Sequence, residues 1–270
     1  MQQADLIYRI VAIIIPVFSI VLLGYFYARW RKNTDMSSGN RINMEIFTPA
    51  LIFDIMSESN YAIADYGLLT IGGLAVVLGS GLLAWPVARI MGYQWQTFVP
   101  PMMFNNCGNM GIPLIVLTFG ASALPAAIIL LVLSNFLHFS LGQQLITQRW
   151  SLKTVMTNPM VLATLLGIGF STLPLAMPET LRLPIHMLGQ VAIPLMLFSL
   201  GVRMLSIDFR DWKIGTLGAL VCPLSGLLVA MLFIQLMPLP LHQVPILLLF
   251  SVLPPAILNF LVAERFGQQP

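Results

Sequence analysis

The chain has 270 residues, of which 58% are hydrophobic and only 9% charged, with a net charge of +3 and a mean hydropathy of +0.88. A soluble domain carries about 25% charged residues, so this composition excludes a water-soluble globule. The few positive side chains sit in short segments between apolar runs, which reads as membrane topology and not as a phosphate-binding face, so no nucleic-acid partner is expected.

About 20 apolar residues cross the hydrocarbon core as a helix. By that measure nine spans are expected, near 10–28, 42–57, 67–90, 97–119, 122–147, 158–177, 183–204, 213–237 and 243–263. The first is followed by Arg29, Arg31 and Lys32 with no small-residue cleavage site, so it reads as a span and not as a signal peptide. Arg29, Arg31, Lys32 and Arg41 follow the first span and Arg89 ends the third. Arg149 and Lys153 follow the fifth, Arg203, Arg210 and Lys213 the seventh, and Glu264 with Arg265 the ninth. The intervening connections carry Asp54, Glu58 and Asp65, then Glu179 with Arg182, then His242. The positive-inside rule places the N-terminus outside and residue 270 on the cytoplasmic side. Cys107 and Cys222 both lie in apolar runs without metal-ligand spacing, so neither a disulfide nor a metal site is expected.

The fourth span cannot continue as an ordinary helix. Between apolar flanks, residues 105–113 hold Asn105, Asn106, Asn109, Gly108, Gly111 and Pro113. Broken backbone at bilayer depth is tolerated only where it is buried in protein or lines a wet cavity, and in secondary transporters that cavity is the substrate site. The chain also repeats itself. Pro16 to Gly24 aligns with Pro159 to Gly167 at a shift of 143, Thr48 to Phe53 with Ile193 to Phe198 at 145, and Ser80 to Leu83 with Ser225 to Leu228 at 145. A duplicated unit with an odd number of spans inserts in two opposite orientations. The two halves are expected at 1–150 and 151–270. The symmetry demands a second broken span, and Pro254-Pro255 with Asn259 supplies it in the ninth.

Residue chemistry suggests what the breaks would hold. Half-helices starting near Ile112 and near Ala256 would each present N–H groups and about half a positive charge. Pro113 and Pro255 suit a first helical turn, and Gly108 and Gly111 permit close backbone approach. Asn105, Asn106, Asn109 and Asn259 can offer amide donors to a carboxylate. No Lys or Arg is adjacent to either break in sequence, so dipoles and amides alone are expected to hold an anion. His138, one turn after Asn135 on the same face, is a candidate proton relay or a packed neutral histidine. Gln190 either faces the cavity or bonds between helices. Asp54, near the end of the second span, is expected at the interface.

The motif Asn106-Cys107-Gly108-Asn109-Met110-Gly111-Ile112-Pro113-Leu114 resembles the fourth-helix signature of the auxin efflux carrier family. Leu253-Pro254-Pro255 through Ala263-Glu264-Arg265-Phe266-Gly267 is similar to that family's ninth-helix segment, and Phe198-Ser199-Leu200-Gly201 to the end of its seventh. The resemblance implies an all-α integral membrane fold of ten helices in two inverted five-helix repeats, as in bile-acid sodium symporters, with helices four and nine crossing at their breaks. It also implies a carrier of a small organic anion, auxin-like or a dicarboxylate such as malate or malonate, in a bacterial inner membrane. The substrate site would comprise the residues named at the two breaks. The chain departs from the family in ending at Pro270, where a tenth helix would follow, and the second repeat is expected to lack it. Membrane lipid and the anion are the expected partners, with a homodimer left open, and no cofactor is expected. An intramembrane hydrolase fits poorly, since no Gly-x-Ser-x-Gly or paired buried carboxylates are present. The alternative is a receptor or subunit that keeps the carrier fold without transporting. No nucleotide-binding motif appears, so an ion gradient or none would drive the cycle.

Overall fold

The computed structural model describes residues 2–31, 34–57, 63–142, 144–145, 156–172, 177–206, 212–256 and 259. Among them the regular structure is helical, apart from one antiparallel bridge between Asn105 and Pro255. The fold is an all-α membrane protein. Gly67–Met91, Ala121–Gly142, Glu179–Arg203 and Trp212–Leu236 are each long and apolar enough to cross a membrane. Ile15–Trp30, Cys107–Phe119 and Pro159–Ser171 are shorter apolar helices.

Helix α1 runs Gln2–Trp30. The next span is one winding in three pieces: α2 (Ser37–Ile42), a π-helical turn Asn43–Phe47, and α3 (Thr48–Met56). Asp35 starts it by accepting from the Ser37 backbone N at 2.8 Å and from its Oγ at 2.6 Å. Helix α4 (Gly67–Met91) ends in a left-handed Gly92, φ 74°, where Tyr93 N reaches back to Ala88 O at 2.9 Å. Glycine takes that conformation without a Cβ clash, which is why the helix stops there. The broken fourth span is α5 (Trp95–Met103), extended residues, a π-helical turn Cys107–Gly111, and α6 (Ile112–Phe119). Helix α7 (Leu124–Leu137) continues into a third π-helical turn, His138–Gly142. Helix α8 (Pro159–Ser171) is capped by the Asn158 side chain, which accepts from Met160 N at 2.9 Å, with Pro159 in the first turn. Helices α9 (Glu179–Arg203), α10 (Trp212–Leu236) and α11 (Val244–Ser251) complete the described chain.

The nine expected spans each have a helical counterpart, with corrections. The second begins earlier, at Ser37, and contains a π turn. The continuation of the ninth beyond Ala256 lies outside the described residues except for Asn259, so a half-helix starting near Ala256 cannot be described. Asp54 is buried, not interfacial, because the last turn of α3 is packed between α8 and α9.

Two helix groups emerge from the packing. Helix α1 packs chiefly on α9, and α3 on α8 and α9; α4 packs on α10, α5 and α7, and α10 on α11. Within each group backbones touch. A Cβ on Gly201 would collide with the Val21 carbonyl, and one on Gly226 with the Ser251 carbonyl. Such small-residue contacts hold membrane helices together where lipid removes the hydrophobic drive. Phe18, Phe26, Leu82, Ile90, Leu166 and Leu224 point outward, as lipid-facing side chains do. Between the groups α9 meets the π turn 107–111, α1 meets α6, and α7 meets α3 and α8.

Candidate functional site at the crossed breaks

At Phe104 the helix gives way to extended backbone, φ −101° and ψ 99°. This strip pairs with residues 254–256: Asn106 N donates to Pro254 O at 2.7 Å and Ala256 N to Phe104 O at 2.8 Å. The bonds flank the Asn105–Pro255 pair, so Pro255 is never asked for the N–H it lacks. Two asparagine amides finish the accounting. Asn105 Nδ2 donates to Phe250 O at 2.5 Å, and Asn259 Nδ2 to Phe104 O at 2.9 Å. Each break thus sends a side-chain amide to a carbonyl of the other, in addition to the backbone donors those carbonyls already have.

Winding resumes at Cys107, not near Ile112 as the sequence suggested. Asn106 O accepts from Met110 N at 3.2 Å and Gly111 N at 3.0 Å, and Ile112 N donates to Cys107 O. Pro113, without a donor, stands in the first turn of α6, as expected, directly after this wide turn. The positive end of the helix dipole therefore lies at Cys107, Gly108 and Asn109.

That end faces a cavity of about 110 Å³ between the two helix groups. One wall is Asn40, Asn43 and Thr48 from the α2–α3 span, Met160 from α8, and Met196 with Arg203 from α9. Asn105, Asn106, Cys107, Gly108 and Asn109 form the facing wall, closed by Ser134 and Asn135 from α7, His138 from the π turn after it, and Ala256. Of the residues named from sequence, Asn105, Asn106, Gly108, Asn109, Asn135 and His138 come together here. Gly111, Pro113, Pro254, Pro255 and Asn259 do not line the cavity; they shape or brace the crossing behind it. Gln190 is elsewhere, on the exposed face of α9 with its amide nitrogen 2.8 Å from His186 Nε2. His138 is buried, with its ring stacked on Phe104 at 4.3 Å between centroids. Asn135 Nδ2 reaches across the seam to Met160 Sδ at 3.0 Å.

Arg203 corrects the expectation that no cation attends the breaks. It ends α9 and lines the cavity, a third of the molecule away in sequence but adjacent in space. A guanidinium presents a rigid fork that matches a carboxylate, and the helix start opposite it adds partial positive charge. Asn43 Oδ1, Thr48 Oγ1 and Asn105 Oδ1 are buried and find no partner among the described residues. Unmatched buried oxygens at a cavity wall mark where a ligand or water completes the set. Asn40 accepts a hydrogen bond from Ser199 Oγ at 2.5 Å, which ties the α2–α3 wall to α9. Arg203 read in sequence as a loop charge. The signal that could have found Asn40 and Asn43 is their spacing of three, a polar stripe entering an apolar span.

Comparison with known proteins places this geometry in context. The family described as membrane transport protein matches residues 9–156 and 147–270. A Rhizobium meliloti (strain 1021) protein named "Putative malonate transporter" is 25% identical over 219 residues, which cover 73% of this chain and 67% of that one.

Proposed function

Because the chain belongs to the membrane transport protein family, we propose that it carries a short organic anion of the malonate or malate class through the bilayer by alternating access. The observation that carries this reading is the cavity at the crossed breaks, with Arg203 on one helix group facing the start of the Cys107–Phe119 helix on the other. The anion's carboxylate bridges the two: the guanidinium takes it bidentately, and the π-turn amides and Asn109 hold it from the opposite side. Cavity size favours a short acid over an indole-type one, since about 110 Å³ is well below the roughly 300–1,000 Å³ typical of sites for drug-sized ligands. The name of the Rhizobium meliloti relative points the same way.

Alternating access needs two bodies that rock about a fixed site. The two helix groups supply them. Each draws elements from both halves of the chain: α1 and α3 join α8 and α9, while α4 to α7 join α10 and α11. The reciprocal amide bonds support an inverted repeat of 1–150 and 151–270, because Phe104 and Phe250 stand 146 residues apart and each accepts an amide from the opposite break. The alternation of loop charge supports an inner-membrane orientation with the N-terminus outside.

Uptake of radiolabelled malonate by the purified protein in liposomes tests the reading. The parent should show saturable uptake. Arg203→Gln should weaken malonate by about 10–100-fold, since a hydrogen bond to a charged group contributes roughly 1.5–3 kcal/mol. Arg203→Lys should retain part of the affinity. Uptake by Arg203→Gln at the parent's rate and half-saturation would remove Arg203 from the site.

A further inference from the structure

A second polar assembly lies on α3 and α9, away from the cavity. Asp54, in the last turn of α3, is buried, and its Oδ2 lies 2.7 Å from His186 Nδ1 on α9. Gln190, one turn further along α9, places its Nε2 2.8 Å from His186 Nε2. The carboxylate side chain is 10% exposed and the imidazole 47%. The chain of groups therefore runs from a buried anion, through an imidazole, to the surface.

Two hydrogen-bond arrangements satisfy these contacts. With Gln190 Nε2 at His186 Nε2, that ring nitrogen accepts, and the ring proton is on Nδ1 and donates to the Asp54 carboxylate. Adding a proton at Nε2 turns the imidazole into a double donor, and Gln190 must turn its amide to offer Oε1 instead. The proton comes from bulk water, no covalent bond other than N–H forms, and the pair gains one positive charge. Two discrete arrangements of the same three side chains thus differ by one proton.

This assembly is tied to the cavity by its own helices. Thr48, at the start of α3, lines the cavity about 9 Å along the helix from Asp54, and Met196 and Arg203 lie further down α9 from His186. At this level α3 and α9 are in backbone contact, since a Cβ on Gly189 would come 2.8 Å from Leu51 Cα. With no slack between the helices, a change of charge between Asp54 and His186 acts on their packing, and so on the wall that holds Arg203. The other charged groups on the packed elements are Asp5, Arg9 and Arg29 on α1, Arg41 on α2, Glu45 in the π turn before α3, and Glu179, Arg182 and Arg203 on α9 itself; α8 and α7 carry none within 159–171 and 124–137.

We propose that Asp54, His186 and Gln190 form a proton-binding site, separate from the anion cavity, that couples anion translocation to proton entry at that end of the α3–α9 pair. The proposal rests on the carrier reading above. Its test separates the two. Liposomes containing the purified chain are assayed both for malonate exchange at equal pH and for net malonate accumulation driven by a pH gradient. The parent should do both. Asp54→Asn and His186→Gln should keep exchange and lose the stimulation by the gradient. In the parent, ¹⁵N spectra of labelled histidine should show the Nδ1–H form of His186, and Asp54→Leu, which removes the acceptor, should abolish that preference, a readout that needs no transport. Gradient-driven accumulation by Asp54→Asn and His186→Gln at the parent's level would overturn the proposal. So would an unchanged tautomer in Asp54→Leu. Absence of exchange in the parent would instead refute the carrier reading, and the coupling with it.

Discussion

The asparagines at the crossing have two roles. Asn105 and Asn259 donate into carbonyls of the opposite break, and Asn105, Asn106 and Asn109 lie on the cavity wall; Asn259 has the first role alone and Asn109 the second. Asn259→Leu removes one of the two donors on Phe104 O, so it should lower stability by about 0.5–1.5 kcal/mol, read as a drop in unfolding temperature in detergent. Asn109→Leu should leave that temperature near the parent's and weaken malonate binding, measured by competition. Equal unfolding temperatures for the two variants would contradict the division. Cys107 offers a further readout, because of the two buried cysteines it is the one that lines the cavity, while Cys222 stands beside Leu253. In a Cys222→Ala background, malonate should slow maleimide modification of Cys107; an unchanged rate would place the anion elsewhere. The polar cluster at 105–113 was legible in the sequence because Asn, Gly and Pro have so few reasons to stand in an apolar run. Arg203 and Asn43 were not, since what makes them part of the site is the meeting of helices distant in sequence.

At the scale of elements, apolar length identified the helices, because a hydrocarbon core sets a minimum that the sequence must meet. It could not show the three π turns, at 43–47, 107–111 and 138–142, each of which places residues on the cavity wall. A π turn shifts the hydrogen-bond register by one residue, and the hydropathy pattern barely registers it. Glycine positions carry the helix contacts. Gly201 lies against the Val21 carbonyl, while nothing lies within 4 Å of a Cβ at Gly169. Gly201→Ala should therefore force α1 from α9 and destabilise by about 1–3 kcal/mol, as overpacking does. Gly169→Ala should be tolerated. Thermal unfolding of both variants in the same detergent checks this, and an equal response would mean the α1–α9 contact yields without cost.

Across the whole molecule, the seam between the helix groups is bridged by side chains such as Asn135 and Met160, 3.0 Å apart. If the groups rock, a covalent tie there should stop them. Cysteines at Asn135 and Met160, in a chain lacking Cys107 and Cys222, should crosslink on oxidation, abolish malonate uptake and recover it on reduction. Full uptake by the crosslinked protein would rule out relative motion at that point. Orientation has its own check. Ser37→Cys should react with an impermeant reagent only from the cytoplasmic side and Leu241→Cys only from outside; the reverse would invert the reading of loop charge. A near-constant offset of 143–145 between similar apolar segments was visible in sequence, yet the sorting of helices into two groups was not, because it depends on which apolar faces find each other in three dimensions.

The pairing of residues 104–106 with 254–256 joins strips about 150 positions apart. At roughly 5–20 residues per second, a ribosome needs on the order of 10–30 s to make the second strip after the first. During that interval the fourth span sits at the membrane with its carbonyl and amide groups unanswered, a state that hydrocarbon penalises by several kcal/mol per group. Biogenesis of this protein therefore includes an obligatory wait, in which the insertion machinery or a membrane chaperone must shelter a half-finished helix. A nascent chain stalled before Leu253 would be a ready target for membrane proteases, and the speed of translation between the two breaks should set how much protein survives to maturity.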